Sequence, residues 1–285
     1  MKVKFALITG GTRGLGECLV RRFWLEGYSL AVVGRSDSDI GNVLGALPKR
    51  DNQEALALPC DLGSPAQVAD LIERVKTECP ALEVLLNNAA VQGPIGPIGE
   101  IDISCWQKTL QIDLMAPVAL CQGLIPHMRA CNDGGSIINL SGGGATGPRP
   151  NFSAYATAKA GLVRFSETIA EELRATDIRV NCIAPGAMKT QMLQKVLAES
   201  YAAGEREYAA ACQVFEEGGA SMDRVADLAL FLASDLSKGI TGKLISALWD
   251  DWEHWPEHLA ELSNSDAYTL RRIAGRDRGF AWGDK

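Results

Sequence analysis

Short apolar runs alternate along the chain with segments of helix length. Residues 5–8, 30–33, 55–58, 84–86, 137–140 and 178–183 are too short for helices and mostly lack the polar alternation of a half-exposed strand. Such runs suit strands covered on both faces, as in a parallel sheet. The segments 15–26, 65–79, 106–130 and 154–175 are long enough to be the crossover helices that parallel pairing requires. The pattern predicts an α/β fold, a doubly wound parallel sheet with helices on both faces.

At 285 residues and 47% hydrophobic content the chain can bury one sizeable core, and no Pro/Gly/Ser-rich or charged linker divides it. One domain over 1–250 is expected. Beyond about Trp249 the character changes: Trp249, Trp252, Trp255, Phe280 and Trp282 are interleaved with acidic residues and with Arg271, Arg272, Arg276 and Arg278. This reads as an extension over 251–285, whose aromatic residues call for a packing partner, either the chain's own substrate cleft or a neighbouring subunit. Were it to close a cleft, Arg271 or Arg272 could bind an anionic group of a substrate; the alternative is a surface clasp with solvated arginines.

A net charge of −7 and a pI near 5.1 argue against a nucleic-acid footprint and leave small molecules as the expected ligands. The eight cysteines, Cys131 among them, show no C-x-x-C spacing, so neither a metal site nor a redox pair is expected. They suit small buried groups in a reducing compartment. The start Met1-Lys2-Val3-Lys4 lacks the pattern of a signal peptide, and no later segment reads as a bilayer span, so a cytoplasmic location is expected.

Candidate chemistry sits at two places. After the first strand runs Thr9-Gly10-Gly11-Thr12-Arg13-Gly14-Leu15-Gly16. Glycines there omit the Cβ atoms that would keep a pyrophosphate from the backbone, and the following helix aims free N–H groups and its positive dipole end at the anion. Much later, Tyr155 and Lys159 stand one helical turn apart on one face, a phenol and an ammonium suited to moving a proton.

The loop spacing G-x-x-x-G-x-G, Asp61-Leu62 after the third strand, Asn87-Asn88-Ala89-Ala90 after the fourth, Tyr155-Ala156-Thr157-Ala158-Lys159, and Pro185-Gly186 after the sixth occur in one order. Together they make the chain resemble the short-chain dehydrogenase/reductase family over roughly residues 4–248. The resemblance implies a Rossmann-type sheet and an oxidoreductase interconverting a carbonyl and a secondary alcohol, similar to 3-oxoacyl carrier-protein reductases or to reductases of sugars and secondary metabolites. It implies Tyr155 as proton donor, with Lys159 lowering the tyrosine pKa and binding the nicotinamide ribose. It places Gly10, Thr12, Gly14, Leu15 and Gly16 in the cofactor-binding loop with Arg13 pointing toward the region of Arg35, Asp61 and Leu62 at the adenine, Asn88 and Ala89 at the adjacent ribose side, and Pro185, Gly186, Met188 and Thr190 at the nicotinamide end. For Asn87-Asn88 a capped strand end, and for Pro185-Gly186 an ordinary turn, are the structural alternatives.

Cofactor choice rests on two arginines. Enzymes preferring NAD usually carry an acidic residue at the end of the second strand, where this chain has Gly34 followed by Arg35. Guanidinium groups at Arg13 and Arg35 suit a 2′-phosphate, so NADP(H) is expected over NAD(H), with a solvated strand end as the alternative role for Arg35.

Two positions depart from the family pattern. The serine that commonly precedes the tyrosine by thirteen residues is Gly142 here, with Ser141 beside it. Either Ser141 or the backbone N–H groups of Gly142 to Gly144 are left to bind the carbonyl, unless Ser141 merely caps its strand. The family's relay asparagine is Asp113, which accepts from a relay water but when ionised cannot donate, and whose charge favours a protonated Lys159. These departures leave a cofactor-binding, low-activity or regulatory member as the alternative function. The loop over 187–220, with its alanine-rich core at 192–215, is expected to form a helical lid over the substrate. Apolar residues such as Met115, Val118, Leu120, Leu124, Leu162, Val163, Phe165 and Ile169 exceed one buried stripe, and in similar proteins these helices build a homodimer or homotetramer; an intramolecular core is the alternative.

Overall fold

A computed structural model of the chain describes residues 4–131 and 134–282. The Met1–Val3 start and the side chain of Cys131 lie outside the described residues. β1 (Phe5–Thr9) turns into α1 (Gly14–Leu25), followed by β2 (Ser29–Gly34), α2 (Asp37–Gly45), β3 (Ala55–Pro59), α3 (Pro65–Glu78) and β4 (Leu82–Asn87). Next, α4 (Ile103–Leu110) passes through a π-helical turn (Gln111–Met115) into α5 (Ala116–Cys131), and β5 (Gly135–Leu140), α6 (Ser153–Glu172) and β6 (Ile178–Ala184) complete the second half. A helical segment of α7 (Gln191–Ala198), α8 (Ser200–Ala203) and α9 (Glu205–Glu217) precedes α10 (Met222–Ala233) and β7 (Leu244–Ser246). The extension begins with a 3-10 stretch (Trp252–His258) and α11 (Leu259–Ser263).

The strands form one seven-stranded parallel sheet in the order β3-β2-β1-β4-β5-β6-β7. Because β1 pairs with β2 on one side and β4 on the other, the strand order reverses between β1 and β4. The crevice at their C-terminal ends is where such sheets accept ligands. One apolar layer packs α1 and α10 on the sheet; the other packs α3, α5 and the end of α6. Every residue of β1 and β2 is buried, as continuous apolar strands with both faces covered require.

The hydrophobic pattern leaves out β7 and α2. β7 has three residues, and α2 buries only Ile40 fully, so neither carries a periodic signal. A further correction concerns the α4–α5 stretch, which runs without a break through the π turn. Over Ile103–Ala130 it is long and apolar enough, by length and composition, to cross a membrane. In the fold α5 lies against α3 and β4. Of its apolar excess, Leu120 and Leu124 are fully buried within the chain, as are Leu162 and Val163 of α6, whereas Met115 is half exposed.

The extension joins the main core. Trp252 lies against Phe231 of α10, ring centroids 5.2 Å apart, and Trp255 against Tyr268 at 4.4 Å. The Tyr268 carbonyl accepts from Leu244 N (2.8 Å), and Lys243 Nζ donates to the carbonyls of Ser265 and Ala267, so the extension covers the free edge of β7. Covering an edge strand satisfies backbone groups that would otherwise template pairing with another chain. Arg271 pairs with Asp266 and Asp277, both in the extension.

Candidate active site

The dinucleotide end is shaped by backbone. Gly10 and Gly14 have φ of +66° and +53°, the left-handed region that favours glycine. A Cβ on Gly16 would lie 1.9 Å from the Gly10 carbonyl oxygen, and one on Gly10 would lie 2.9 Å from Ala89 Cα. The loop therefore closes on itself and on the end of β4 at contacts that exclude any side chain. At Gly14 the nearest atom to such a Cβ is the Thr190 methyl at 3.8 Å, so these two residues are neighbours. α2, α3, α4, α7 and α10 each begin with a Ser, Thr or Asp side chain that accepts a backbone N–H. No side chain caps α1, nor α6, α8, α9 or α11. Of these, α1 alone follows the glycine loop at the strand-order reversal, where its first N–H groups and positive dipole end suit an anion. This cradle fits the pyrophosphate of a dinucleotide.

Thr9 and Asn88 hold the two switch-point strands together. Thr9 Oγ1 accepts from Asn88 N and Ala89 N at 3.0 and 3.1 Å, and Asn88 Nδ2 donates to the carbonyls of Thr9 (2.9 Å) and Gly10 (3.2 Å). The Asn88 amide thus serves as the strand clasp that shapes the glycine loop. Asp61 Oδ1 accepts from Gly63 N, leaving Asp61 half-buried at the end of β3, whereas Leu62 is buried in the core. A Cβ on Gly34 would lie 2.7 Å from the Thr12 methyl, so Thr12 occupies the space where an acidic side chain would start. Arg13 and Arg35, each one residue beyond that contact, are exposed, and neither side chain pairs with a described residue. Pro185 is buried, and Gly186 (φ +79°) sits where a Cβ would strike Leu248 (2.6 Å) and Ala220 (3.0 Å); Met188 packs on the core.

Tyr155, Lys159 and Asp113 converge in the interior. Tyr155 is 7% exposed, Lys159 2% and Asp113 0%. Lys159 Nζ donates to the Leu140 carbonyl at the end of β5 (2.9 Å) and lies 5.6 Å from the centroid of the Tyr155 ring. Asp113 sits in the π-helical turn, a local widening of the helix common at functional sites. One of its oxygens accepts from Val91 N (2.8 Å); the other is buried without a partner. Beneath them Asn87 Nδ2 donates to Asn139 Oδ1 (2.8 Å), and Asn139 Nδ2 to Ser166 Oγ (2.7 Å), which fixes α6 against β4 and β5.

These surroundings correct the expected electrostatics. Burial pushes the Tyr155 pKa up, Asp113 adds to the rise, and the cation that opposes it is Arg149, not Lys159. Burial likewise drives the Lys159 pKa down, with Asp113 opposing, so Asp113 offsets only part of the desolvation of the ammonium. Asp113 itself is pushed up to about 6, burial outweighing the pull of Lys159.

Gly142 is a glycine by packing: a Cβ there would lie 2.2 Å from the Tyr155 hydroxyl. No serine side chain fits at 142 while Tyr155 holds this position. Ser141 N donates to the Ile183 carbonyl and its Oγ is buried without a partner. Gly144 (φ +95°) lets the loop close on α6, where a Cβ would meet Ala156 Cβ at 2.6 Å, while Gly143 is exposed.

Over this loop lies the helical segment α7–α9, the expected lid. Phe152 and Ile95 pack with Val196, Ala203 and Ala211. Asn151 Nδ2 donates to the Ala203 carbonyl, Lys195 Nζ to that of Gly93, and Arg149 ion-pairs with Glu207 at 2.8 Å. Arg149 and Glu207 were not among the residues expected at the site. The signal for Arg149 was its standing as the one charged residue between Ser141 and Phe152; nothing local marks Glu207, whose role exists only once α9 is folded over the loop. A cavity of about 690 Å³ between α6 and the extension, lined by Arg164, Glu171, Lys243 and Asp266 among others, contains neither Tyr155 nor Lys159.

Comparison with known proteins places this geometry. The family model for short chain dehydrogenase matches residues 4–200. Human dehydrogenase/reductase SDR family member 4 is 31% identical over 187 residues, 66% of this chain; the chain spans 66% of that relative's length. A 3beta-hydroxysteroid dehydrogenase 1 from Eggerthella lenta is 32% identical over 85% of this chain and 91% of its own. Among solved structures, an NADPH-dependent reductase involved in bacilysin biosynthesis superposes with a TM-score of 0.76 at 25% identity, covering 86% of this chain and 97% of that one. An NAD+-bound xylitol dehydrogenase gives 0.76 at 23%, covering 85% and 96%, and shares the fold. The chain belongs to the short-chain dehydrogenase/reductase family and is an NAD(P)-dependent oxidoreductase.

Proposed function

We propose that the protein is an NADP(H)-dependent reductase or dehydrogenase interconverting a carbonyl and a secondary alcohol on a small molecule, acting in the cytoplasm as a homodimer or homotetramer. The observation that carries the reaction is the buried convergence of Tyr155, Lys159 and Asp113 beside the C-terminal end of β5, on the same edge of the sheet as the glycine loop. When bound, the nicotinamide supplies a hydride to the carbonyl carbon, which with a proton on oxygen gives the alcohol and the oxidised dinucleotide. Tyr155, its pKa raised by burial, keeps its proton at neutral pH and releases it to the developing alkoxide, a far stronger base. Arg149, the cation that opposes the rise of the Tyr155 pKa, favours the phenolate left behind, while the Lys159 ammonium is held by the Leu140 carbonyl. Asp113 keeps a counter-charge beside that ammonium and offers an unpartnered oxygen to a relay water.

NADP(H) is supported by Arg13 and Arg35, two exposed guanidinium groups without acidic partners, flanking the contact at which Thr12 fills the place of an acidic side chain. The test is kcat/KM with NADPH and NADH for the wild type and Arg35→Asp. NADPH preference in the wild type, reduced by roughly 10- to 100-fold in the variant, is the expected result; equal wild-type values would remove the assignment. A second reading, an NADP-binding member with little turnover, draws on the Gly142 contact that excludes the family serine. It predicts NADPH binding with no carbonyl-dependent oxidation, and it gives the buried Tyr155–Lys159 pair nothing to do.

A further inference from the structure

Arg149 donates no proton itself, but it is the cation that opposes the rise of the Tyr155 pKa, and its guanidinium is held partly buried beside the tyrosine ring. Its side chain is 16% exposed. The guanidinium carbon lies 3.9 Å over the ring of the fully buried Phe152 and 5.7 Å from the centroid of the Tyr155 ring. Nε and Nη2 both donate to one oxygen of Glu207, Oε2, at 3.0 and 2.8 Å. Nη1 makes no hydrogen bond to a described residue and stands beside the catalytic loop, 3.8 Å from where a Cβ of Gly143 would be. Lys159, the other cation near Tyr155, is committed to the Leu140 carbonyl.

This pairing is incomplete in a specific way. A guanidinium fork binds a carboxylate best through two parallel bonds to two oxygens, whereas Glu207 presents one oxygen to the fork and leaves Nη1 free. Taking an arginine largely out of water is offset only when its donors are used. Glu207 comes from α9 of the helical segment that packs on Ile95 and Phe152, so the partner of Arg149 is carried by an element separate from the one that carries Tyr155. A phosphate dianion calls for more than one cation, and the lid's Lys195 is exposed and spent on the Gly93 carbonyl and Glu199. A single planar fork matches a carboxylate.

We propose that Arg149 recognises a carboxylate borne by the carbonyl substrate, and that Glu207 holds the guanidinium in place until the substrate carboxylate replaces it. The inference rests on the oxidoreductase reading above and specifies its substrate class: a keto acid in one direction, a hydroxy acid in the other. Arg149 is here a specificity-determining residue, and Glu207 a positioning residue that competes with the substrate anion.

The experiment compares levulinate and a cyclohexanone carboxylate with their methyl esters, using NADPH and the wild-type, Arg149→Met, Arg149→Lys and Glu207→Gln proteins. The wild type is expected to favour each acid over its ester, and Arg149→Met to lose roughly 10- to 100-fold more in kcat/KM for the acids than for the esters, whose smaller loss reports the charge removed from beside Tyr155. Arg149→Lys should retain part of the preference, and Glu207→Gln should improve KM for the acids. Unaltered NADPH affinity and melting temperature confirm that each variant is folded. Equal losses on acid and ester, or no acid preference in the wild type, overturn the proposal and leave Arg149 as a lid latch. Calorimetric titration of levulinate into the NADP+-loaded protein decides the same question without turnover: binding that disappears in Arg149→Met supports the proposal, and absent or unchanged binding overturns it. Turnover of esters without acid preference defeats the proposal alone, whereas Arg149-dependent acid binding with no turnover of any carbonyl defeats the oxidoreductase reading alone.

Discussion

The two ends of the cleft are built by different means. At the dinucleotide end, shape comes from the backbone: Gly10, Gly14 and Gly16 are forced by positive φ or by contacts as short as 1.9 Å to a carbonyl oxygen, and Asn88 and Thr9 lock that backbone to the neighbouring strand. At the substrate end, shape comes from side chains of distant segments meeting: Tyr155 against Gly142, Arg149 against Glu207, Phe152 against Val196 and Ala203. A backbone cradle accepts a ligand part that does not vary, and tolerates little substitution. An assembly of side chains from separate elements can be re-specified one residue at a time.

The largest effect separating the two ends is expected from Gly16→Ala. Its Cβ would collide with the Gly10 carbonyl, so the loop must move, costing roughly 3 kcal/mol of stability and abolishing NADPH binding. Urea denaturation and fluorescence titration with NADPH would show both; a variant that binds NADPH normally would refute the view of this loop as a fixed backbone mould.

Asp113→Asn comes next and acts through charge. The folded pKa of about 6 lies above the ordinary 3.8, so the folded state holds this proton more tightly than the unfolded chain. Stability from this group is therefore present below 3.8 and declines as pH rises through about 6, by about 3 kcal/mol in all. The amide can still accept from Val91 N but does not titrate, so the variant should lose that slope in stability against pH. It should also lose any inflection of kcat near pH 6. Denaturant midpoints and rate profiles across that range measure both, and an unchanged profile would separate Asp113 from the proton path.

Gly143→Ala should have the smallest effect. A Cβ there would approach nothing closer than 3.8 Å, so stability should change by less than about 0.5 kcal/mol, with any effect confined to substrate KM. Against the loss expected from Gly16→Ala, one added methyl at each end measures how differently the two are built.

The same contrast decides how much could be read from the chain. Six strands and the principal helices declare themselves because continuous apolar runs such as 30–33 are what a doubly covered strand demands. The glycine loop and the Tyr155–Lys159 turn are legible because each is local: spacing within a few residues fixes the geometry. β7 is not, since three residues joined to the sheet by pairing with β6 leave no pattern. The packing of Gly142 on Tyr155, the rise of the Tyr155 pKa and the Arg149–Glu207 pair are also illegible in sequence. Each depends on how deeply a group is buried or on which distant segment folds over it. Asn88 was legible as a residue of importance, though its amide turns to the Thr9 and Gly10 carbonyls. The Trp252 and Trp255 side chains announced a need for burial, but in place of the substrate cleft or neighbouring subunit expected from sequence, the chain's own core at α10 and the covered edge of β7 meet it.

The central claim, that Tyr155 at the closed end of a dinucleotide cleft gives its proton to a carbonyl oxygen, is tested most directly by comparing wild type with Tyr155→Phe. NADPH affinity is titrated for both, and NADPH oxidation is followed against a panel of carbonyl compounds with the alcohol product quantified. The wild type should consume NADPH in step with alcohol formed, and the variant should bind NADPH with nearly the same affinity while kcat falls by roughly 100-fold or more. An unchanged kcat in Tyr155→Phe, or NADPH binding by the wild type with no carbonyl-dependent oxidation, would contradict the account.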